Sequence, residues 1–389
     1  MRFTFVAFDA FPLLDTTASG GIGGAEVRAT TFARGLQRLG QKDIEFVVRA
    51  RDGLPDQVGG FAIRPYARQK SRGFARLSKL GESLAKRVTG TPPLDPFFRD
   101  LHSDVLLCFG VRNDTASIVR SAKETGKSVV LFLTSDRNLE DAQRQGRSDR
   151  GVYGELGHLC RFAIEHADRV VVQTPYQLAE LERVFGIRGT LIRNPIELLP
   201  QDSASQPNND PLVLWVGRAD RFSKRADLAL EVAERCPDVR FRLIMNNHDS
   251  ETFEEMVAAA PSNVEIVERV SFDQIESHFQ AASLLFNTSV AEGFPNSFLQ
   301  ACKFGKPIVS LQVDPGSIFS EHGVGHCANG DIDRMARAIV FLCSDRGEYE
   351  LASKRALKYV GQFHNSTNCC EQLNDLLQEL VRPRSRRAA

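Results

Sequence analysis

Two cations follow an apolar segment in the second half of the 389-residue sequence. Arg218 comes just after the predicted strand Leu212–Val216, and Lys224 stands six residues further on, before a helix expected to start near Ala226. An arginine offers a fork of N–H donors and a lysine a compact charge, so the pair suits a diphosphate. Because both residue types are common on loops, this pattern acquires meaning only from its neighbours.

A carboxylate occupies a second loop of the same kind. Glu292 lies between the predicted strand Leu284–Asn287 and the predicted helix Ser297–Phe304, where a carboxylate can bind sugar hydroxyls. The backbone N–H groups of Gly293 and Phe294 are expected to face a ligand over the helix start. An ordinary helix preceded by a solvated acid fits the same residues equally well.

The helix after Glu292 carries start and stop signals. Asn296 or Ser297 is predicted to be its N-cap, because both side chains accept hydrogen bonds from first-turn N–H groups. Gly305 and Pro307 then mark its end. These signals predict a ligand loop running directly into a helix N-terminus.

A glycine-rich turn, SGGIGGAE over residues 19–26, follows the first predicted strand and precedes the predicted helix Ala25–Leu39. Glycines there let backbone N–H groups approach an anion. The dinucleotide pattern G-x-G-x-x-G fails, because Glu26 holds its third glycine position and Arg49 follows the second strand where an acid is expected. A nicotinamide dehydrogenase is thereby disfavoured, while a ligand contact and a plain turn both remain open.

The composition narrows the function classes further. Lys and Arg number 49, equal to Asp and Glu, which argues against a nucleic-acid binder. Eight cysteines occur without a C-x-x-C pair, a pattern typical of reduced core cysteines. No apolar run approaches the length of a signal peptide or membrane span, so a cytoplasmic protein is expected.

A basic segment covers residues 64–87. It holds eight Lys or Arg residues opposed only by Glu82, with Phe74, Leu77, Leu80 and Leu84 at helical spacing among them. Such a segment can contact an anionic membrane surface, here the inner membrane surface, or an acidic acceptor. An ordinary solvated helix face explains the same residues.

Short apolar runs alternate with helical patterns along the whole chain, which predicts doubly wound α/β domains. Strands are predicted in the first half at Arg2–Phe8, Ile44–Val48, Val105–Phe109, Ser128–Leu133, Arg169–Val172 and Gly189–Ile192. Helices are predicted between them at Ala25–Leu39, Thr115–Thr125, Tyr153–His166 and Tyr176–Val184. The polar stretch 198–210 interrupts the alternation and indicates a linker. We therefore expect two Rossmann-like domains, 1–197 and 211–362, facing each other across a cleft.

Four segments together resemble the retaining glycosyltransferases of the GT-B fold, in the large group called family 4. The segment EGFPNSFLQACKFGKPIVS, starting at Glu292, is similar to the family signature, and VGRADRFSKRADLAL, starting at Val216, to its donor-phosphate motif. LIRNPIE (191–197) resembles the hinge motif and GGAE (23–26) the N-terminal glycine loop. These motifs occur in the family's order and spacing along nearly the whole chain.

The resemblance implies a nucleotide-sugar donor held mainly by the second domain. Arg218 and Lys224 would hold its diphosphate, and Glu292 would contact the transferred sugar. The positions implied in donor binding are Gly23, Gly24, Arg218, Lys224, Gly293, Phe294, Asn296 and Gln300. The resemblance also implies that a terminal helix, 363–381, returns to the first domain ahead of the tail 382–389. Neither a metal nor another cofactor is expected, because cations and helix ends neutralise charge in this fold.

The sequence departs from the family at two positions. The signature has a second glutamate, which typically binds ribose; Gln300 stands there and loses the charge-assisted bond. The family's frequent catalytic histidine after a first-domain strand is also missing, and Asp136 ends the corresponding run. Asp136 is either a polar member of the site, which we count with Glu292 as catalytic, or a surface aspartate.

The expected reaction moves a sugar from a nucleoside diphosphate to an acceptor hydroxyl with retention of configuration, in polysaccharide or glycolipid synthesis. Two alternatives share the fold: a non-catalytic binding or partner subunit, which Gln300 favours, and a sugar phosphorylase or epimerase. The sequence identifies neither the base, the sugar nor the acceptor.

Overall fold

The computed structural model describes residues 1–15, 17–18, 23–67, 91–146, 149–199, 210–247, 249–271 and 274–381. Most of the basic segment 64–87, most of the linker 198–210, residues 19–22 of the glycine turn and the tail 382–389 lie outside the described residues. The chain divides into two compact units, Met1–Pro195 with Thr367–Ala389 (unit 1) and Ile196–Ser366 (unit 2). Each unit contains its own parallel sheet.

Unit 1 is built on a sheet with the strand order β3-β4-β2-β1-β5-β6-β7-β8. Its strands are β1 (Phe3–Val6), β2 (Ile44–Arg49), β3 (Gln57–Val58), β4 (Phe61–Tyr66), β5 (Val105–Phe109), β6 (Ser128–Phe132), β7 (Arg169–Val172) and β8 (Thr190–Leu191). All neighbouring strands pair in parallel except β3 with β4, an antiparallel hairpin that the sequence reasoning missed.

The helices of unit 1 connect successive strands. They are α1 (Phe11–Leu14), α2 (Gly24–Arg38), α3 (Pro96–Asp100), α4 (Asn113–Glu124), α5 (Arg137–Gln143), α6 (Gly157–His166), α7 (Pro175–Phe185) and, at the chain's end, α14 (Ser366–Val381). The helix predicted over Tyr153–His166 starts late, at Gly157, because Asn113 holds the preceding segment as a loop: its side chain donates to the Gly154 carbonyl and accepts from the Leu156 N–H.

The terminal helix α14 packs into the core of unit 1. Its Cys369, Cys370, Leu373 and Leu377 side chains belong to the same buried cluster as the β1 phenylalanines. Gly35 on α2 permits this packing, because a Cβ there would stand 2.1 Å from the Cys370 sulfur. The chain thus passes from unit 2 back into unit 1 through this helix.

Unit 2 has the strand order β11-β10-β9-β12-β13-β14, with every pairing parallel. Its strands are β9 (Leu212–Arg218), β10 (Arg240–Asn246), β11 (Val264–Val267), β12 (Leu284–Asn287), β13 (Ile308–Ser310) and β14 (Gly325–Cys327). In order of appearance this is 3-2-1-4-5-6, the arrangement of a dinucleotide-binding sheet, with its topological switch point between β9 and β12. Ligands bind such sheets outside the carboxyl ends of the strands at that point.

The helices of unit 2 cover both faces of its sheet. They are α8 (Ala226–Glu234), α9 (Ser250–Ala258), α10 (Ile275–Ala281), α11 (Asn296–Lys303), α12 (Ile332–Ser344) and α13 (Arg346–Phe363), with a 3₁₀ turn at Pro315–Ser317. Two buried apolar clusters, one on each face, fill the space between helices and sheet. Among the described residues, no helix combines the length and the apolar character that crossing a membrane requires.

Candidate functional site

The candidate site lies at the switch point of unit 2, where β9 and β12 end. Arg218 is the last residue of β9, and the loop carrying Glu292 leaves from Asn287 at the end of β12. The buried Trp215 donates its indole N–H to the Thr288 hydroxyl at 2.9 Å, and that hydroxyl donates to the Lys224 carbonyl at 2.7 Å. These bonds join the two loops.

Asp220 organises the loop after β9. One oxygen of its carboxylate accepts three backbone N–H groups, from Phe222 at 3.2 Å, Ser223 at 2.6 Å and Lys224 at 2.9 Å. The other oxygen stands 3.5 Å from Nε of Arg218. The sequence reasoning missed Asp220, although an aspartate that starts a tight loop commonly bonds the N–H groups following it.

Lys224 and Glu292 form an ion pair across the two loops. They are 68 residues apart in sequence, and their side chains are only 22% and 17% exposed. Arg218 is 36% exposed and lies on the same strand end as the loop of Lys224. The structure therefore brings together the three charged groups that the sequence assigned to a donor.

The turn after Glu292 is buried and apolar. Gly293 is buried, and the Phe294 ring stacks on Tyr359 and lies against Phe298. Pro295, with φ −62° and ψ 128°, occupies the N-cap position. The prediction of Asn296 or Ser297 as the cap is wrong, because proline's fixed φ ends the loop one residue earlier and no side chain caps this turn.

Asn296 and Gln300 stand one helical turn apart on α11 and therefore on the same face. The side-chain carbonyl oxygen of Gln300 is buried and has no hydrogen-bond partner among the described residues. A buried acceptor of this kind normally has a donor. A ligand hydroxyl is one group that can supply it.

The remaining predicted residues lie in unit 1. Gly23 is the N-cap of α2 and Gly24 its first residue, both exposed. Glu26 folds back over this turn, with Oε2 only 2.4 Å from where a Gly23 Cβ would stand, and burial raises the pKa of its carboxyl. Asp136 follows β6 just before α5, and its carboxylate accepts a hydrogen bond from Nε2 of Gln177 at 2.8 Å.

Metal ligation has its own geometric requirement. Within the described ranges, no group of three or more His, Cys, Asp or Glu side chains is arranged to hold a metal ion. Whether the reaction needs a metal is a separate question, and the expectation that it does not stays a prediction.

Solved structures share this fold over almost the entire chain. Sucrose-phosphate synthase from Thermosynechococcus elongatus aligns with a TM-score of 0.75 and 17% identity, covering 98% of this chain and 99% of its own. HepE from Anabaena, in complex with UDP and glucose, aligns with a TM-score of 0.67 and 15% identity, covering 97% and 100%. TarM from S. aureus, in complex with UDP and acceptor compounds, aligns with a TM-score of 0.67 and 12% identity, covering 97% and 99%. The predicted GT-B fold, with two Rossmann-like units, is confirmed.

The family comparison concerns unit 2. Residues 210–345, which include every charged group of the site, match the model of the family described as Glycosyl transferases group 1. The class of protein is therefore a GT-B glycosyltransferase, as the sequence motifs predicted.

Curated relatives match over shorter lengths. An uncharacterized glycosyltransferase of Haemophilus influenzae is 24% identical over 195 residues, 47% of this chain and 54% of that protein. The poly(glycerol-phosphate) alpha-glucosyltransferase of Bacillus subtilis is 23% identical over 159 residues, 40% of this chain and 24% of that protein. The chain thus matches about half of the first relative and a quarter of the second.

Proposed function

We propose that the protein transfers a sugar from a nucleoside diphosphate sugar to an acceptor hydroxyl with retention of anomeric configuration, and that unit 2 holds the donor. The observation that carries the proposal is the Lys224–Glu292 pair beside Arg218 at the switch point. This arrangement sets two cations and one carboxylate where a doubly wound sheet binds its ligand. A nucleotide sugar has the matching pattern, since its diphosphate is anionic and its sugar presents hydroxyls.

The two cations have a direct role in this reaction. As the glycosidic bond breaks, the leaving diphosphate gains negative charge, and Arg218 and Lys224 stabilise that charge more in the transition state than in the ground state. Glu292, attached to the same pair, accepts hydrogen bonds from the transferred sugar. The rigid loop formed by Asp220 keeps the Lys224 backbone in place.

UDP is the proposed nucleotide of the donor. Support comes from the solved complexes of HepE and TarM, both of which contain UDP. Polysaccharide or glycolipid synthesis is the proposed setting, in keeping with the poly(glycerol-phosphate) glucosyltransferase among the relatives. Retention is proposed from the motif resemblance, and NMR of the first-formed product anomer tests it.

Ligand binding provides the first test. We expect the melting temperature of the protein to rise with UDP and less with GDP or ADP, since a ligand of the folded state stabilises it by mass action. Arg218→Ala and Lys224→Ala should each abolish most of that rise. Arg221→Ala is the matched control, because Arg221 belongs to the same loop but pairs with the exposed Glu255 at 2.6 Å. Equal losses in all three variants would refute the assignment.

Transfer without a divalent metal is part of the proposal. We expect activity to persist in EDTA, because the two cations occupy the role that a metal would fill. Abolition by EDTA and recovery with Mg²⁺ or Mn²⁺ would show that they do not suffice. A sugar phosphorylase would reveal itself by release of sugar phosphate with inorganic phosphate, and an epimerase by conversion of the donor without an acceptor.

A cytoplasmic location with contact between segment 64–87 and an anionic membrane surface is a proposal from sequence. Co-sedimentation with phosphatidylglycerol vesicles at low salt tests that contact. Absence of binding there would overturn it.

A further inference from the structure

An exposed aromatic ring stands at the carboxyl edge of the unit 1 sheet. Tyr176 is the second residue of α7, which follows β7, and 54% of it is exposed. Thr174 caps this helix by accepting the Gln177 N–H at 3.2 Å, and Pro175 occupies its first turn. The ring is therefore presented by a well-defined helix start and not by a loose loop.

Asp136 lies beside this ring. It follows β6, the neighbour of β7 in the sheet, so both residues leave the same edge. The pKa of the Tyr176 hydroxyl is raised, mainly by partial burial and then by the nearby carboxylates of Glu180, Asp136 and Glu140. The two side chains thus share one acidic surface.

The Asp136 carboxylate is held by a chain of buried side-chain amides. Gln177 donates to it at 2.8 Å and accepts the Gln173 backbone N–H at 2.9 Å. Gln173 in turn accepts from the Asn194 amide at 2.8 Å and donates to the Leu133 carbonyl at 2.7 Å. All three amide residues are buried. Buried amides with specific partners fix geometry, because each lost bond leaves a costly unsatisfied group.

One helical turn delivers both parts of this surface. Gln177 points inward to the amide chain, while Tyr176, next to it in sequence, points outward. Locking Gln177 therefore locks the backbone that carries the Tyr176 ring relative to Asp136. Such a pre-set pair suits a ligand that presents an apolar face and a hydroxyl rim.

We propose that Asp136 and Tyr176 form a saccharide subsite of unit 1, in which a sugar ring packs on Tyr176 and donates a hydroxyl to Asp136, and in which Gln177 is the positioning residue. The surrounding carboxylates repel phosphate, so the occupant is a neutral sugar and not the donor diphosphate. This inference rests on the proposed function, where the subsite holds the acceptor.

Saturation-transfer NMR with the methyl glycosides of glucose, galactose and N-acetylglucosamine tests the subsite without any donor. We expect the wild type to bind at least one glycoside, Tyr176→Phe to retain binding, and Tyr176→Ala to lose it about five-fold or more, as for an interaction of about 1 kcal/mol. Tyr153→Ala is the matched control, because Tyr153 is also exposed (61%) in unit 1. No binding by the wild type, or equal losses in the two alanine variants, would overturn the subsite.

The same variants separate this inference from the proposed function. UDP binding should be unchanged in Tyr176→Ala, because the donor residues lie in unit 2. Loss of UDP binding in the wild type would reject the proposed function, whereas loss of glycoside binding alone would reject only the subsite.

Gln177→Glu isolates the positioning bond. A glutamate still accepts the Gln173 N–H but cannot donate to Asp136, so glycoside affinity should fall. Asp136→Asn combined with Gln177→Glu restores a hydrogen bond with the charge transposed, and should recover the melting temperature without recovering binding. Recovery of binding as well would show that the Asp136 charge contacts no sugar.

Discussion

Neutralising Glu292 should have opposite effects on nucleotide binding and on transfer. In the unliganded structure the Lys224 ammonium is engaged by the Glu292 carboxylate. A bound diphosphate competes for the same ammonium and is repelled by the same carboxylate. Glu292→Gln removes both obstacles, so UDP should bind more tightly although the variant transfers sugar poorly.

The size of the effect follows from the exposure of the pair. Both side chains are less than one quarter exposed, so their attraction lies near the upper end of the range for surface pairs, about 1 kcal/mol. Releasing Lys224 should therefore lower the dissociation constant of UDP about two- to five-fold. Removing the cation acts in the other direction and more strongly. Lys224→Ala loses a charge-assisted bond of about 1.5–3 kcal/mol and should raise that constant at least ten-fold.

Isothermal titration calorimetry with UDP measures both effects on one scale. Glu255→Gln is the matched control, since Glu255 pairs with Arg221 of the same loop at 2.6 Å but lies outside the site. Its UDP affinity should equal that of the wild type. Raising the salt concentration should shrink the Glu292→Gln effect, because screening weakens the interaction that it removes.

Two results would refute this reasoning. Weaker UDP binding by Glu292→Gln would mean that the carboxylate assists the diphosphate, for instance by orienting Lys224. An equal gain in Glu255→Gln would mean that the net charge of the unit, and not the pair, controls affinity. Full transfer activity in Glu292→Gln would separately exclude a contact between Glu292 and the transferred sugar.

Three further predictions concern neighbouring residues of unit 2. Gln300→Glu should tighten UDP binding about five-fold in calorimetry, because its buried, unpartnered oxygen becomes a charged acceptor for ribose hydroxyls; unchanged affinity would place the ribose elsewhere. Burial lowers the pKa of Lys306 to about 8, so the unfolded chain binds more protons between pH 8 and 10.5 and stability rises across that window. Lys306→Met should abolish this rise and add about 1–3 kcal/mol to the free energy of unfolding at pH 7 in urea titrations. Arg225, with φ 53°, should become less strained in Arg225→Gly, raising the melting temperature by about 2–4 °C despite the lost Asp227 pair, whereas Arg225→Ala should lower it.

The strands that carry the donor site were predictable because they are continuous apolar runs. The prediction for β12 matches the structure, and the one for β9 is two residues short, since Gly217 and Arg218 continue the pairing with β10. The pairing of Lys224 with Glu292 was not predictable from spacing. It depends on β9 and β12 being neighbours, and hydrophobic periodicity identifies strands without ordering them.

Unit 1 was harder to read, for a physical reason. Gln173, Gln177 and Asn194 have the composition of surface residues, and only their mutual hydrogen bonds make burial affordable. Those partners come from separate segments, so no local pattern announces them. The late start of α6 has the same origin, since a distant asparagine holds the loop before it.

The contrast bears on where specificity resides in this protein. A diphosphate is recognised by charge at a strand end, and charge at strand ends is visible in a sequence. A neutral acceptor must be recognised by the placement of hydroxyl partners and an aromatic face, and placement is set by buried contacts between distant segments. The Asp136–Gln177 bond is such a contact. Substitutions in the amide chain should therefore change acceptor choice while the donor motifs remain intact, which is how two chains with the same motifs can serve different acceptors.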